Sequence, residues 1–112
     1  MADAAIVAWN AKYGTDFWRP VTAIQQADAD GNDATVADAS WSSLLITPNF
    51  PENVSGHSTF SGAAAAVLNR LLGSDVPFTT GSPGLPGVLR SFSNFDVMAK
   101  EAGRSRIYGG IH

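Results

Sequence analysis

The stretch Pro51–Gly73, "PENVSGHSTFSGAAAAVLNRLLG", decides how this chain is read. From Ser58 to Leu72, residues Phe60, Ala64, Val67, Leu68 and Leu71 recur near one face of a helix, and Gly73 supplies a stop. Directly before that helix stand a hydroxyl, a glycine and an imidazole, on Ser55, Gly56 and His57. A helix start leaves amides unpaired and is the positive end of the macrodipole, so it suits an anion. Ser55 adds a hydroxyl donor and Gly56 permits close backbone approach. His57, with an ordinary pKa of about 6.5, can exchange a proton at neutral pH. The plainer alternative is an N-cap followed by a surface histidine. Taken alone, the tetrapeptide "VSGH" favours that plainer reading, because short motifs recur by accident.

Working outward, "ADAAIVAWNAKY" has alanine-rich helix propensity and meets a stop at Gly14. "FWRPVTAIQQA" reads as a second helix, with Pro20 in the first turn where a missing N–H costs little. "DADGNDATVADAS" is a polar turn-rich loop, and "LLITPNFPENV", with two prolines, reads as an extended, ordered one. After the central helix, "GSDVPFTTGSPGLPG" is Pro/Gly-rich and is expected to be loop. "SNFDVMAKEAGRSR" reads as a last helix, with Ser93 and Asp96 in capping-box spacing. The expected fold class is therefore all-α, a single domain over residues 1–112 with long ordered loops. Structureless loops beyond about 12–15 residues are usually functional. The sequence closes abruptly on "YGGIH", which suggests a fragment of a longer helical bundle; self-association into a homo-oligomer would then cover an exposed core face.

Composition narrows the function classes. An apolar share of 45% argues against general disorder, and a net charge of −3 against a generic nucleic-acid binder. The absence of cysteine excludes disulfides and thiolate metal sites. No apolar run approaches the roughly 18 residues of a membrane span. "MADAAIVAWN" lacks the basic start and long apolar core of a signal peptide. A soluble chain with no membrane partner is expected, in an unspecified compartment. "DADGND" alternates Asp28, Asp30 and Asn32 like a calcium loop, but Asp33 replaces the sixth-place glycine and Ala39 the twelfth-place glutamate. A solvated turn is the better reading.

Two further segments change the reading of "VSGH". "KYGTDFWRP" sets Lys12 and Arg19 seven apart, just before Pro20, and "SRIYGGIH" sets Ser105 and Arg106 ahead of His112. Each alone reads as ordinary basic surface. Together they supply three cations, one glycine-flanked helix start and two histidines, in a chain otherwise acidic and histidine-poor. This combination resembles the three-part signature of the vanadium-dependent haloperoxidases and type 2 phosphatidic acid phosphatases. That signature runs Lys, six residues, Arg-Pro; Pro-Ser-Gly-His; then Ser-Arg, five residues, His, three residues, Asp. Lys12, Arg19 and Pro20 match the first part; Ser55, Gly56 and His57 match the second, with Val54 in place of proline; Ser105, Arg106 and His112 match the third. The chain ends before the aspartate. Trp9 and Phe50 match the aromatic residues on the halide side of the soluble chloroperoxidase-like branch, although either could equally be a core residue or loop anchor.

The resemblance implies one oxyanion pocket for vanadate, or for a phosphate substrate, since a site built for five-coordinate phosphoryl transfer also holds vanadate. It implies Lys12, Arg19, Ser55, Gly56, Arg106 and His112 as the oxyanion-binding set. His112 would be the axial ligand to vanadium or the nucleophile toward phosphorus. His57 would be the general acid/base, and Lys12 a polarising catalytic group. The favoured activity is vanadate-dependent oxidation of halide by hydrogen peroxide, with a small organic acceptor. The alternatives are a soluble acid phosphatase acting on phosphate esters, and a non-catalytic helical domain that binds anions or a partner. With His112 at the chain end, weak oxyanion binding by this piece alone is expected.

Overall fold

The computed structural model describes residues 1–111. Four helices and one hairpin follow in order: α1 (Ala2–Thr15), α2 (Pro20–Gln25), α3 (Gly56–Leu72), β1 (Phe78–Ser82), β2 (Leu85–Phe92) and α4 (Phe95–Ser105). Short 3-10 turns follow α2 at Ala27–Ala29 and α4 at Ile107–Gly109. α3 is the centre of the arrangement, packing against α4 and α1.

α1 runs through Gly14 and closes on Asp16, which adopts the left-handed conformation at φ 45° and returns its amide to the Lys12 carbonyl at 3.0 Å. The stop is thus two residues beyond the expected glycine. The next helix begins at Pro20 alone; Arg19 is its extended N-cap, and Phe17 and Trp18 form the connecting segment. α3 starts at Gly56, because the Ser55 hydroxyl accepts the Ser58 amide at 3.3 Å. Its Ala65 is buried, whereas Val67 and Leu71, expected on the inward face, are 55% and 72% exposed. α4 is capped by Asn94 rather than Ser93: the Asn94 Oδ1 accepts the Val97 amide at 2.9 Å. Asp96 points across to α3 instead and accepts from Asn69 Nδ2 at 3.0 Å.

The segment expected to be loop after α3 is an antiparallel hairpin, pairing Phe78 with Phe92 and Thr80 with Arg90, with an irregularity at Gly81–Ser82. Its prolines and glycines sit at the turn and in the irregular half, where Gly87 takes φ 81°. The regular half is fastened by aromatics: Phe78 lies 5.0 Å from Phe95 and 5.5 Å from Phe92, ring centre to ring centre, joining the hairpin to the start of α4. Helices still dominate, and the helical-bundle class stands with this small sheet added.

The two long loops are ordered by identifiable bonds. In the acidic one, Asp30 and Asn32 accept the amides of Asn32 and Ala34, so these oxygens serve a local turn. The proline-containing loop is tied to the 3-10 turn after α4, with the Leu45 amide on the Tyr108 carbonyl at 2.9 Å and Thr47 Oγ1 on the Gly109 carbonyl at 3.0 Å. Gly110, at φ 61°, lets the chain pass Ser43 closely: a Cβ there would stand 3.1 Å from the Ser43 Cβ. Among the described residues, no helix is long and apolar enough to cross a membrane.

Candidate functional site

Three elements converge on one cavity of about 230 Å³. α1 contributes Trp9 and Lys12, the turn before α2 contributes Arg19, and the N-terminus of α3 contributes Ser55, Gly56 and His57. The proline-containing loop adds Phe50, and Ile111 closes the wall. Seven of the residues singled out in sequence thus share one cavity, although Trp9 and Ser55 are 46 positions apart in the chain.

The two cations are held deep. Lys12 is 1% exposed, and its ammonium donates to the carbonyls of Pro51 at 2.9 Å and Glu52 at 3.1 Å. Arg19, 6% exposed, donates from Nε to the Phe50 carbonyl at 2.7 Å, from Nη2 to the Pro51 carbonyl at 3.4 Å, and from Nη1 to Glu52 Oε2 at 2.7 Å. The Phe50 ring lies under both charges, 4.9 Å from each, and meets the Trp9 ring edge-on at 4.8 Å. Burial pushes the Lys12 pKa down and the neighbouring Arg19 pushes the same way, while Glu52 opposes them.

Glu52 is the residue that sequence reading passed over. It is 5% exposed, and no local pattern marked it: its contacts to Lys12 and Arg19 join parts of the chain 33 to 40 positions apart. A second unforeseen contact concerns Ser58, whose amide and hydroxyl both donate to the Ser55 Oγ, at 3.3 and 3.1 Å. With its acceptor positions engaged, the Ser55 hydroxyl proton is left to point elsewhere. Gly56 has ordinary backbone angles, and a Cβ there would meet nothing within 4 Å, so packing within the protein does not demand glycine.

His57 stands exposed at the cavity rim. Partial desolvation of the ring, followed by the charge of Arg106, lowers its pKa from 6.5, so the neutral imidazole predominates at neutral pH. Arg106 is half-buried, and its Nε has no hydrogen-bond partner among the described residues. Ser105 turns its hydroxyl back to the Ala102 carbonyl at 2.7 Å. His112 lies outside the described residues.

Donor counting tests whether a tetrahedral oxyanion fits. An ammonium has three N–H donors and Lys12 uses two; a guanidinium has five and Arg19 uses three. The remainder, with the Ser55 hydroxyl, is a surplus of buried or half-buried donors lining the cavity; Arg106, which is not in the lining but whose charge reaches His57, has a further unpartnered buried Nε. Buried donors are normally satisfied, so such a surplus suits an acceptor-rich anion. The residues fit.

The family profile of the VCPO second helical-bundle domain matches residues 1–112. The chain belongs to this family. Vanadium chloroperoxidase of Curvularia inaequalis is 31% identical over an alignment 78 residues long that covers 61% of this chain and 12% of that protein. The crystal structure of a protein described as the first bacterial vanadium-dependent iodoperoxidase superposes with a TM-score of 0.83 at 44% identity, over 99% of this chain and 25% of that one. The apo form of a bacterial vanadium-dependent chloroperoxidase gives a TM-score of 0.68 at 26% identity, over 98% of this chain and 29% of that one. The chain therefore spans a quarter or so of these structures and about an eighth of the fungal protein. All three relatives are named for vanadium, and the bundle described above is a haloperoxidase-type helical domain.

Proposed function

We propose that this domain provides the oxyanion pocket for vanadate-dependent oxidation of halide by hydrogen peroxide. The observation that carries the reading is the meeting of Lys12, Arg19, Ser55, Gly56 and His57 in one cavity walled by Trp9 and Phe50. Vanadate held there would supply Lewis-acid activation of peroxide toward halide. The remaining N–H groups of Lys12 and Arg19, the Ser55 hydroxyl and the Gly56 amide would hold its oxygens, a set of donors in place before any reaction begins. Arg106 adds a charge that reaches His57, and His112, which follows the wall residue Ile111 in sequence, would be a ligand to the vanadium. His57, neutral at neutral pH and part of the cavity lining, would accept and return a proton at a ring nitrogen. The Trp9–Phe50 wall excludes water beside the Lys12 ammonium and leaves an apolar, cation-edged berth for a halide.

The test is bromination or iodination of a dye by the protein with vanadate, hydrogen peroxide and halide. Replacing Lys12 by Met, or His57 by Ala, is expected to lower turnover by at least about a hundredfold, the usual effect of losing an aimed donor or proton-transfer group. A parallel assay follows hydrolysis of an aryl phosphate without vanadate. Hydrolysis in the absence of halogenation would overturn the peroxidase reading in favour of a phosphatase.

A further inference from the structure

Glu52 presents an unusual choice for a pocket meant to hold an anion. Its carboxylate is buried against Arg19 at 2.7 Å, and both side chains are under 8% exposed. Lys12 lies close enough for the same carboxylate to oppose the downward push on its pKa. The three charged groups therefore amount to two cations and one anion, beside a cavity that His57 faces from α3. Two buried cations with no counter-charge are costly, and removing one member of a buried ion pair leaves the other uncompensated.

We infer that Glu52 is an internal counter-ion, which lets the Lys12–Arg19 pair stay buried and charged in the ligand-free pocket while competing with the oxyanion for their charge. Glu52 is in this sense a positioning residue that sets oxyanion affinity; the inference rests on the oxyanion reading proposed above.

The main-chain contacts of Glu52 make the charge separable from the scaffold. Its amide donates to the Phe17 carbonyl at 3.0 Å, and its carbonyl accepts from Lys12. Neither involves the side chain, so a substitution leaves both in place. Glu52→Gln keeps an oxygen that can accept from Arg19 Nη1 and removes the negative charge.

A residue that merely braced the loop would, when changed, loosen Lys12 and Arg19 and lower stability and affinity together. A counter-ion moves the two in opposite directions. E52Q is expected to melt several degrees lower than the unaltered protein without ligand, and to bind inorganic phosphate and vanadate about tenfold more tightly, because one opposing charge a few ångströms away is gone. E52D retains the charge, and its affinity should stay within about twofold of the original. Calorimetry and thermal melting with and without each anion read all of these quantities. Should E52Q be unfolded without ligand, phosphate or vanadate is expected to restore the fold; failure to do so overturns the proposal. Affinity that falls together with stability, or that does not change, also overturns it. If the unaltered protein binds neither anion, the oxyanion reading itself fails, an outcome distinct from one in which the unaltered protein binds and only the E52Q shift is missing.

Discussion

His57 and Arg106 show how a residue's chemistry is set by its neighbours. Alone, the imidazole would titrate at 6.5; here partial burial and then the guanidinium charge bring it lower. Arg106→Met is therefore expected to raise the His57 pKa, and phosphate binding should raise it too by offsetting the same charge; an NMR titration of the ring protons follows both. An unchanged value in R106M would show that the guanidinium does not bear on the ring. The sign also fixes a pH dependence. Because the folded pKa lies below the unfolded one, the unfolded chain binds the proton first. The contribution of His57 to stability is thus present above pH 6.5 and declines as pH falls through the lowered value. Its exposure keeps that contribution small.

At the level of elements, two helix starts look alike but serve different ends. Ser55 caps α3 inside the cavity, and Asn94 caps α4 away from it. Replacing either with Ala should cost about 1 kcal/mol of stability, measured by denaturant unfolding. Ser55→Ala should also weaken phosphate or vanadate binding severalfold, while Asn94→Ala leaves it unchanged. Equal affinities in the two variants would remove Ser55 from the pocket. The approach of α4 to this region depends on Gly103, where a Cβ would stand 3.1 Å from the Ser58 hydroxyl that bonds Ser55. The last helix and the first donor of the cavity are therefore coupled through one small residue.

Over the whole molecule, the chain is wide for its length. Its radius of gyration is 17.1 Å, against about 13 Å for a compact domain of this size. Buried apolar residues among those described are few and small or peripheral: Ala8, Ala27, Ala65, Phe92, Phe95 and Ile111. Meanwhile Ile6, Val7, Leu71 and Leu72 are all more than 60% exposed. Apolar surface on that scale seeks cover. The 112-residue chain produced by itself is expected to self-associate at micromolar concentration, and Leu71→Glu with Val7→Glu should reduce this. Light scattering that shows a monomer throughout would contradict the expectation.

Local signals determined much of this protein. The Lys12–Arg19–Pro20 spacing, the Ser55 cap and the alanine-rich run after it could be read directly, because a proline at N1, an N-cap hydroxyl and helix propensity act within a few residues. The hairpin could not, since the Pro/Gly content of its turn obscured strands whose pairing depends on Phe78 and Phe92 meeting Phe95. Asn94 displaced Ser93 as a cap, and Asp96 was drawn to Asn69, because α3 and α4 pack together and offer a partner that sequence does not reveal. Residue types likewise pointed to an anion pocket, but its internal charge balance was decided by folding. Glu52 became part of the site only when the proline-containing loop laid its carbonyls on Lys12 and its carboxylate on Arg19, contacts spanning 31 to 40 positions of chain. Contacts at that separation depend on how the whole chain closes, and no local pattern encodes them.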